Sequence, residues 1–284
     1  MISGYIIEKY NHMSNAYTCN RLVAEAKKQG IDLKIIGIHD TYVSKDEIVN
    51  EGNQLEHRDF IINRYKWGNL INVINSLGKR TYNPLHAYTT YVNKFEQVRN
   101  LHSNAFLIPK YALATANQKY DVLLQHLGTP FVAKGLESSM GAEIFLIEKE
   151  EDLQLLCEKF ENEKEWLFEE FIHFSKGRDI RFYSIRGKVE ACMIRRSHGD
   201  FRANVALGAS VEPYEVTPDI TQIARDIYKQ TGLDFLGIDL LFGEEKPYFC
   251  EINVMPGIEG IEKATGVNIA GKMIQLIKGD FEND

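Results

Sequence analysis

Residues 236–266 read LGIDLLFGEEKPYFCEINVMPGIEGIEKATG, and they constrain the fold more than any other stretch. Residues 236–242 are apolar except for Asp239, residues 243–247 have turn composition, and residues 248–253 form a return strand. With Phe242 opposite Tyr248, the hairpin keeps five loop residues, an ordinary length, and Asp239 falls opposite Glu251. Side chains alternate along a strand, so Asn253 shares the face of Glu251, while Cys250 points away from it and packs. Two carboxylates facing each other across a ladder repel. A hard divalent cation relieves that repulsion, and Mg²⁺ completes its octahedron with water and substrate phosphates. Asp239, Glu251 and Asn253 therefore read as a metal platform for a nucleotide; the plainer alternative is a hairpin whose acids face water.

The rest of the composition narrows the class. A chain of 284 residues makes about two compact domains or three small ones. No apolar run approaches the ~20 residues that span a bilayer, and the start MISGYIIEKYN turns polar too soon for a secretory signal. Cys19, Cys157, Cys192 and Cys250 are scattered without a CxxC pair, which suits reduced thiols in a cytoplasmic protein and gives no zinc signal. The net charge of −7 argues against a nucleic-acid partner. Residues 176–202 depart from it: eight Lys and Arg against three Asp and Glu give +5, leaving −12 elsewhere. Such a local basic region suits a focused anion site, or else a solvated basic hairpin.

Strand and helix patterns alternate, predicting an α/β fold. Strands at 2–7, 33–38 and 60–63, with helices at 16–29 and 69–77, predict a small doubly wound parallel sheet in the first ~90 residues. Its polar loop, with Asn11 and Asn15, follows the first strand at the edge where such sheets bind ligands. Two helical stretches, 84–92 and 94–101, come next. Strands at 130–134, 142–147 and 166–172, a hairpin of 179–185 with 189–195, and helices at 151–160, 220–230 and 269–277 complete the pattern.

Several residues in this frame can meet an anion. Lys134 ends the strand PFVAK and precedes the small polar loop GLESSMG, which holds Ser138 and Ser139. A lysine there aims its ammonium at phosphates while loop amides contact the same anion. Asp179, Arg181 and Tyr183 share one face of their strand, and Arg195 lies on the partner strand. Arg202 and Asn204 stand two apart in GDFRAN. Arginine forks suit phosphate oxygens, and transfer of a terminal phosphoryl group needs metal on one side and arginines on the other. Backbone amides at the turn Gly257–Ile258 suit an anionic substrate group.

The order of Lys94, PFVAK, EEFI, GRDIRF, MIRRSHGDFRAN, GIDLLF and EINVMPGIEGIEKATG resembles the ATP-grasp superfamily, and within it the RimK-type carboxylate–amine ligases. The resemblance covers essentially the whole chain, although the first ~90 residues match mainly in layout. It implies an ATP-grasp fold, α/β overall and α+β in the ATP-binding part. The implied subdomains are an N-terminal domain at 1–93, a central one at 94–175 with phosphate loop and adenine hinge, and a C-terminal one at 176–284 with the metal site. It implies that Lys94, Lys134, Ser138 and Ser139 contact ATP, that Glu169, Glu170, Phe171 and Ile172 form the adenine hinge, and that Asp179 lies near the ribose. Asp239, Glu251 and Asn253 would hold Mg²⁺, two ions with Mn²⁺ as a possible substitute. Arg195, Arg202 and Asn204 would stabilise the transferring phosphoryl group, and Asn11, Asn15, Gly257 and Ile258 are candidate substrate contacts.

The implied reaction turns a carboxylate into an acyl phosphate with ATP, after which an amine forms the amide and ADP and phosphate leave. An amino acid such as glutamate would be joined to a protein, carrier or small molecule by a homodimer or homotetramer. Two departures stand out. Asn93 replaces the aspartate expected before Lys94, and Ser138 and Glu143 replace glycines of the phosphate loop, where Glu143 would repel phosphates if it pointed inward. A kinase on the same scaffold, or a nucleotide-binding module without catalysis, remain the alternatives.

Overall fold

Strand β1 (Ser3–Glu8) buries Gly4 to Ile7 in succession, so neither face meets water and the strand belongs inside a covered parallel sheet. The computed structural model describes residues 1–11, 17–65, 68–138, 141–204 and 208–282. In it, α1 (Tyr17–Lys28) leads to β2 (Asp32–Gly37), followed by a small meander of β3 (Thr41–Val43), β4 (Ile48–Asn50) and β5 (Asn53–Gln54). Then come β6 (Arg58–Asn63), α2 (Asn69–Asn75) and β7 (Gly78–Tyr82). The sheet order is β2-β1-β6-β7, all parallel, so the winding reverses between β1 and β6. Gly4 permits the tight seam, because a Cβ there would come within 2.5 Å of the Phe60 ring. The meander and β7 are additions to the expected layout.

Helices α3 (Leu85–Tyr91) and α4 (Lys94–Asn100) follow. Asn93 caps α4: its side chain accepts from the N–H groups of Phe95 and Glu96, as an aspartate would. Although the expected division starts the central part at residue 94, Val98 and Leu101 pack with Ile180, Phe182 and Leu240, far along the chain.

The central sheet is antiparallel in the order β10-β9-β11-β8. Its elements are β8 (Tyr111–Thr115), α5 (Tyr120–Leu127), β9 (Phe131–Gly135), β10 (Ile144–Ile147), α6 (Glu150–Lys159) and β11 (Glu165–Glu170). Phe131, Ala133, Trp166 and Phe168 point to one face and form a core with Leu123, Leu127, Leu153 and Leu156 of the two helices. Alternation sends Lys134 and Glu169 to the opposite face.

The last sheet has the order β14-β13-β12-β15-β16. It comprises β12 (Arg178–Ile185), β13 (Lys188–Arg196), β14 (Ser210–Pro213), β15 (Phe235–Leu241) and β16 (Tyr248–Asn253). Between β14 and β15, α7 (Pro218–Thr231) begins with Thr217 accepting from the Ile220 N–H and ends at Gly232, which adopts φ +65°. Its Ile220, Ile223, Ala224 and Ile227 recur at helical spacing and bury one face. Short α8 (Glu259–Thr265) and α9 (Ile269–Glu282) close the chain. Met273, Ile274 and Ile277 of α9 join Cys19, Leu22 and Ala26 of α1 in one core with Tyr183 and Met193. Among the described residues, no helix is long and apolar enough to cross a membrane.

Candidate active site

Asp239 lies opposite Glu251, and Gly237 opposite Asn253. The register arrives there by a route the sequence reading misses. Leu241, not Phe242, faces Tyr248; Leu240 faces Phe249; the pairing then slips by one residue at Cys250. Such a β-bulge re-aims side chains. Cys250 therefore borders the cavity between the sheets, its Sγ 4.0 Å from Lys134 Nζ, which corrects the expectation that it packs away. Burial pushes its thiol up to about 12.

The charge of Asp239 is balanced in another way than expected. The carboxylate is buried, and Arg181 donates to both its oxygens, with Nε to Oδ1 at 2.6 Å. Arg195 Nη2 donates to Asp239 Oδ2 at 2.8 Å, and the same guanidinium holds Asp179 through two bonds of 2.6 Å. Burial pushes Asp239 up, but the two arginines outweigh it and hold the carboxyl below the usual range. Asp179 has one hydrogen-bonding arginine partner rather than two; there burial wins and pushes it up to about 6. The premise that only a cation makes the acid pair tolerable is thus corrected. Arg181 takes that part because β12 and β15 pair with Arg181 opposite Asp239, a register that a hairpin-by-hairpin reading does not reach.

Lys94 Nζ stands 3.7 Å from Glu251 Oε2 and donates to the Ser138 carbonyl. Asn253 Nδ2 donates to Glu251 Oε1 at 3.4 Å. On the facing sheet, Val132 pairs with Glu169 and Lys134 with Leu167, so Lys134 and Glu169 are diagonal neighbours. Their ion pair is 2.5 Å long and nearly solvent-free. The second oxygen of Glu169, Oε1, is buried without a hydrogen-bond partner. Lys134, Glu169, Glu170, Phe171, Ile172, Asp179, Arg202 and Asn204 line one cavity. Arg202 ties its rim together: it holds Asp200 and donates to the Gly141 carbonyl at 2.8 Å. Gly141 adopts φ +75°, and a Cβ there would come 2.8 Å from Asn204 Nδ2.

Other expected residues lie elsewhere. The Asn11 amide is taken up internally, donating to Asn50 Oδ1 at 2.7 Å and accepting from the Gly37 N–H. Ile258 is a core residue whose N–H donates to Thr18 Oγ1, so its side chain is no substrate contact; neighbouring Gly257 is exposed. Glu143 pairs with Lys164 at 2.7 Å, and the feared repulsion of phosphates does not arise from that position. Ser139 and Asn15 fall outside the described residues.

Lys134 and Glu169 come to the cavity from the central sheet and Asp179 and Cys250 from the last one, while Lys94 of α4 stands beside Glu251. The profile of the RimK-like ATP-grasp domain matches residues 92–277. The chain belongs to the RimK-like ATP-grasp family. A probable alpha-L-glutamate ligase of Citrobacter koseri is 31% identical over 277 residues, covering 92% of both chains. One from Legionella pneumophila is 32% identical over 276 residues, covering 92% of this chain and 91% of the relative. Among solved structures, a RiPP-associated ATP-grasp ligase of Chryseobacterium gregarium, in complex with ADP and a leader and core peptide, aligns with a TM-score of 0.74. That alignment has 16% identity and covers 99% of this chain and 97% of that one.

With the family comes its reaction class, an ATP-grasp ligase that joins a carboxylate to an amine, and its need for ATP and Mg²⁺. The residues suit both. Glu169 Oε1 is a buried acceptor without a hydrogen-bond partner, and the residue borders the cavity, where it could take a ligand donor. No three of His, Cys, Asp and Glu converge to hold a metal among the described residues. The set Asp239, Glu251 and Asn253 supplies too few oxygens alone, as expected where phosphates complete the Mg²⁺ shell.

Proposed function

We propose that this RimK-like ATP-grasp ligase activates a carboxylate of its acceptor as an acyl phosphate and joins it to the amine of an amino acid such as glutamate. The acceptor is a peptide, protein or carrier end, or a small molecule. The observation that carries the reading is the opposition of Asp239 and Glu251 beside Lys94, on a strand whose Cys250 borders the Lys134–Glu169 cavity.

In this reading the hinge Glu169–Ile172 holds the adenine edge, with Glu169 Oε1 as its free acceptor. Lys94 and Lys134, with Ser138, face the phosphates. Asp239, Glu251 and Asn253 would hold two Mg²⁺, with Mn²⁺ able to substitute, and ions held there would offset charge on the transferring group. Arg202 and Asn204, at the cavity rim, meet the phosphoryl oxygens directly. Arg195 is 3% exposed and held by two carboxylates, so it acts by positioning Asp179 and Asp239. The carboxylate oxygen of the acceptor attacks the γ-phosphorus and ADP leaves; the amine then attacks the acyl carbon, phosphate leaves, and the ammonium proton passes to solvent.

A coupled ADP-release screen of amino acids crossed with glutamate-ended acceptors tests the reading. ADP release is expected to require both partners and to yield an amide-linked product by mass. Asp239→Asn and Glu251→Gln are expected to abolish it, and full turnover in either variant would overturn the assignment.

A further inference from the structure

The winding reverses between β1 and β6, and open parallel sheets take ligands at the carboxyl ends of the strands where it does so. Arg64 stands there, one residue past β6, its own N–H donating to the Ile7 carbonyl. Its side chain is 13% exposed. Nη1 donates to the Pro256 carbonyl at 3.1 Å, Glu8 approaches Nε only to 3.9 Å, and Nε is buried without a hydrogen-bond partner. A buried guanidinium N–H left open is costly and suits an oxyanion. The loop that Arg64 touches is the direct continuation of the metal strand. Pro256 comes three positions after Asn253, a span of at most about 11 Å. Pro256 packs over Gly237, the residue opposite Asn253.

We propose that Arg64 binds the α-carboxylate of the amino acid whose amine is joined, and so selects amino acids over simple amines. The inference rests on the ligase reading above. Arg64 makes no covalent contribution; the selection is a match of guanidinium to carboxylate.

Arg64→Met and Arg64→Lys in the full chain test it. Three measurements are made: the KM of the best amino acid, the KM of its α-carboxamide, and the Kd of Mg²⁺·ADP by calorimetry. The unaltered enzyme is expected to favour the amino acid over its α-carboxamide by about 10- to 100-fold, the value of a charged hydrogen bond. Arg64→Met is expected to raise the amino-acid KM by that factor with kcat within threefold, to leave the α-carboxamide KM unchanged, and to keep the Kd of Mg²⁺·ADP within twofold. Arg64→Lys is expected to regain part of the discrimination, and it decides the matter alone if Arg64→Met does not fold. Preserved discrimination in the variant that folds, or equal loss for both substrates, overturns the inference while leaving the ligase reading intact. An unaltered enzyme inactive with every amino acid defeats the ligase reading instead.

Discussion

Arg181 closes on both carboxylate oxygens of Asp239, its partner across β12 and β15. A metal ion at Asp239 must share or displace that guanidinium. We expect Arg181→Met to lower stability by about 3 kcal/mol without ligand, since a buried carboxylate loses one of its two arginines. Saturating Mg²⁺·ADP should then raise the Tm of the variant more than that of the unaltered protein. Melting curves of both, with and without Mg²⁺·ADP, check this; equal shifts would argue against competition.

Cys250 sits in the cavity but should be a poor nucleophile. Only the thiolate reacts, and burial pushes this thiol up to about 12. At pH 8 we expect alkylation by iodoacetamide to be slower than that of glutathione by on the order of 1,000-fold. Peptide mass spectrometry over a time course measures it. Labelling as fast as glutathione would mean that the bulge does not hold Cys250 where described.

Asn11 is expected to serve stability and not substrate. It joins the loop after β1 to Gly37 and to Asn50 of the meander. Asn11→Ala should cost about 2 kcal/mol in urea denaturation. The KM of the amino acid should stay within twofold, and a tenfold rise would restore Asn11 as a substrate contact.

Asp280 of α9 gives a pH signature. Arg186, at the tip of the β12–β13 hairpin, donates to both its oxygens at 2.7 and 2.6 Å, and the Tyr82 hydroxyl donates at 2.6 Å. Burial pushes Asp280 up, yet these partners prevail and hold its carboxyl below the usual range. A depressed carboxyl contributes stability above the unfolded value near pH 3.9 and loses it as pH falls through the folded value. Asp280→Asn should therefore cost about 2 kcal/mol at pH 7, with the gap to the unaltered protein closing below about pH 4. Denaturation at pH 7 and pH 3 compares them; a constant gap would show that the contact is not ionic.

Local pattern carried the reading where an element pairs with its sequence neighbour. The β15–β16 and β12–β13 hairpins follow from apolar periodicity. It failed where position depends on distant partners. β7 was missed because Lys79 and Arg80 are exposed on an edge strand, and β8 because all five of its residues are half-buried. The bulge at Cys250 has no signature in a hairpin count, and it compensated an error: Asp239 met Glu251 although the turn is one residue longer than assumed. The partner of Arg181 needed the β12–β15 register, which links strands 58 residues apart. Arg64 offered no pattern at all; only the crossing of the sheet brings it to the metal strand's loop.

The shared core of α1 and α9 has a mechanical meaning. Both ends of the chain join one core with Tyr183 and Met193 of the last sheet, whereas one face of the central sheet keeps a core of its own and Leu167 on its other face joins the core of Ile180 and Leu240. Lys134 and Glu169 ride on the central sheet, where Glu169 holds the Lys134 ammonium at 2.5 Å while that ammonium also reaches across to the Cys250 carbonyl at 3.5 Å. Lys134 is thus a pin through the seam between the two sheets, and shortening it would loosen the hold of one on the other.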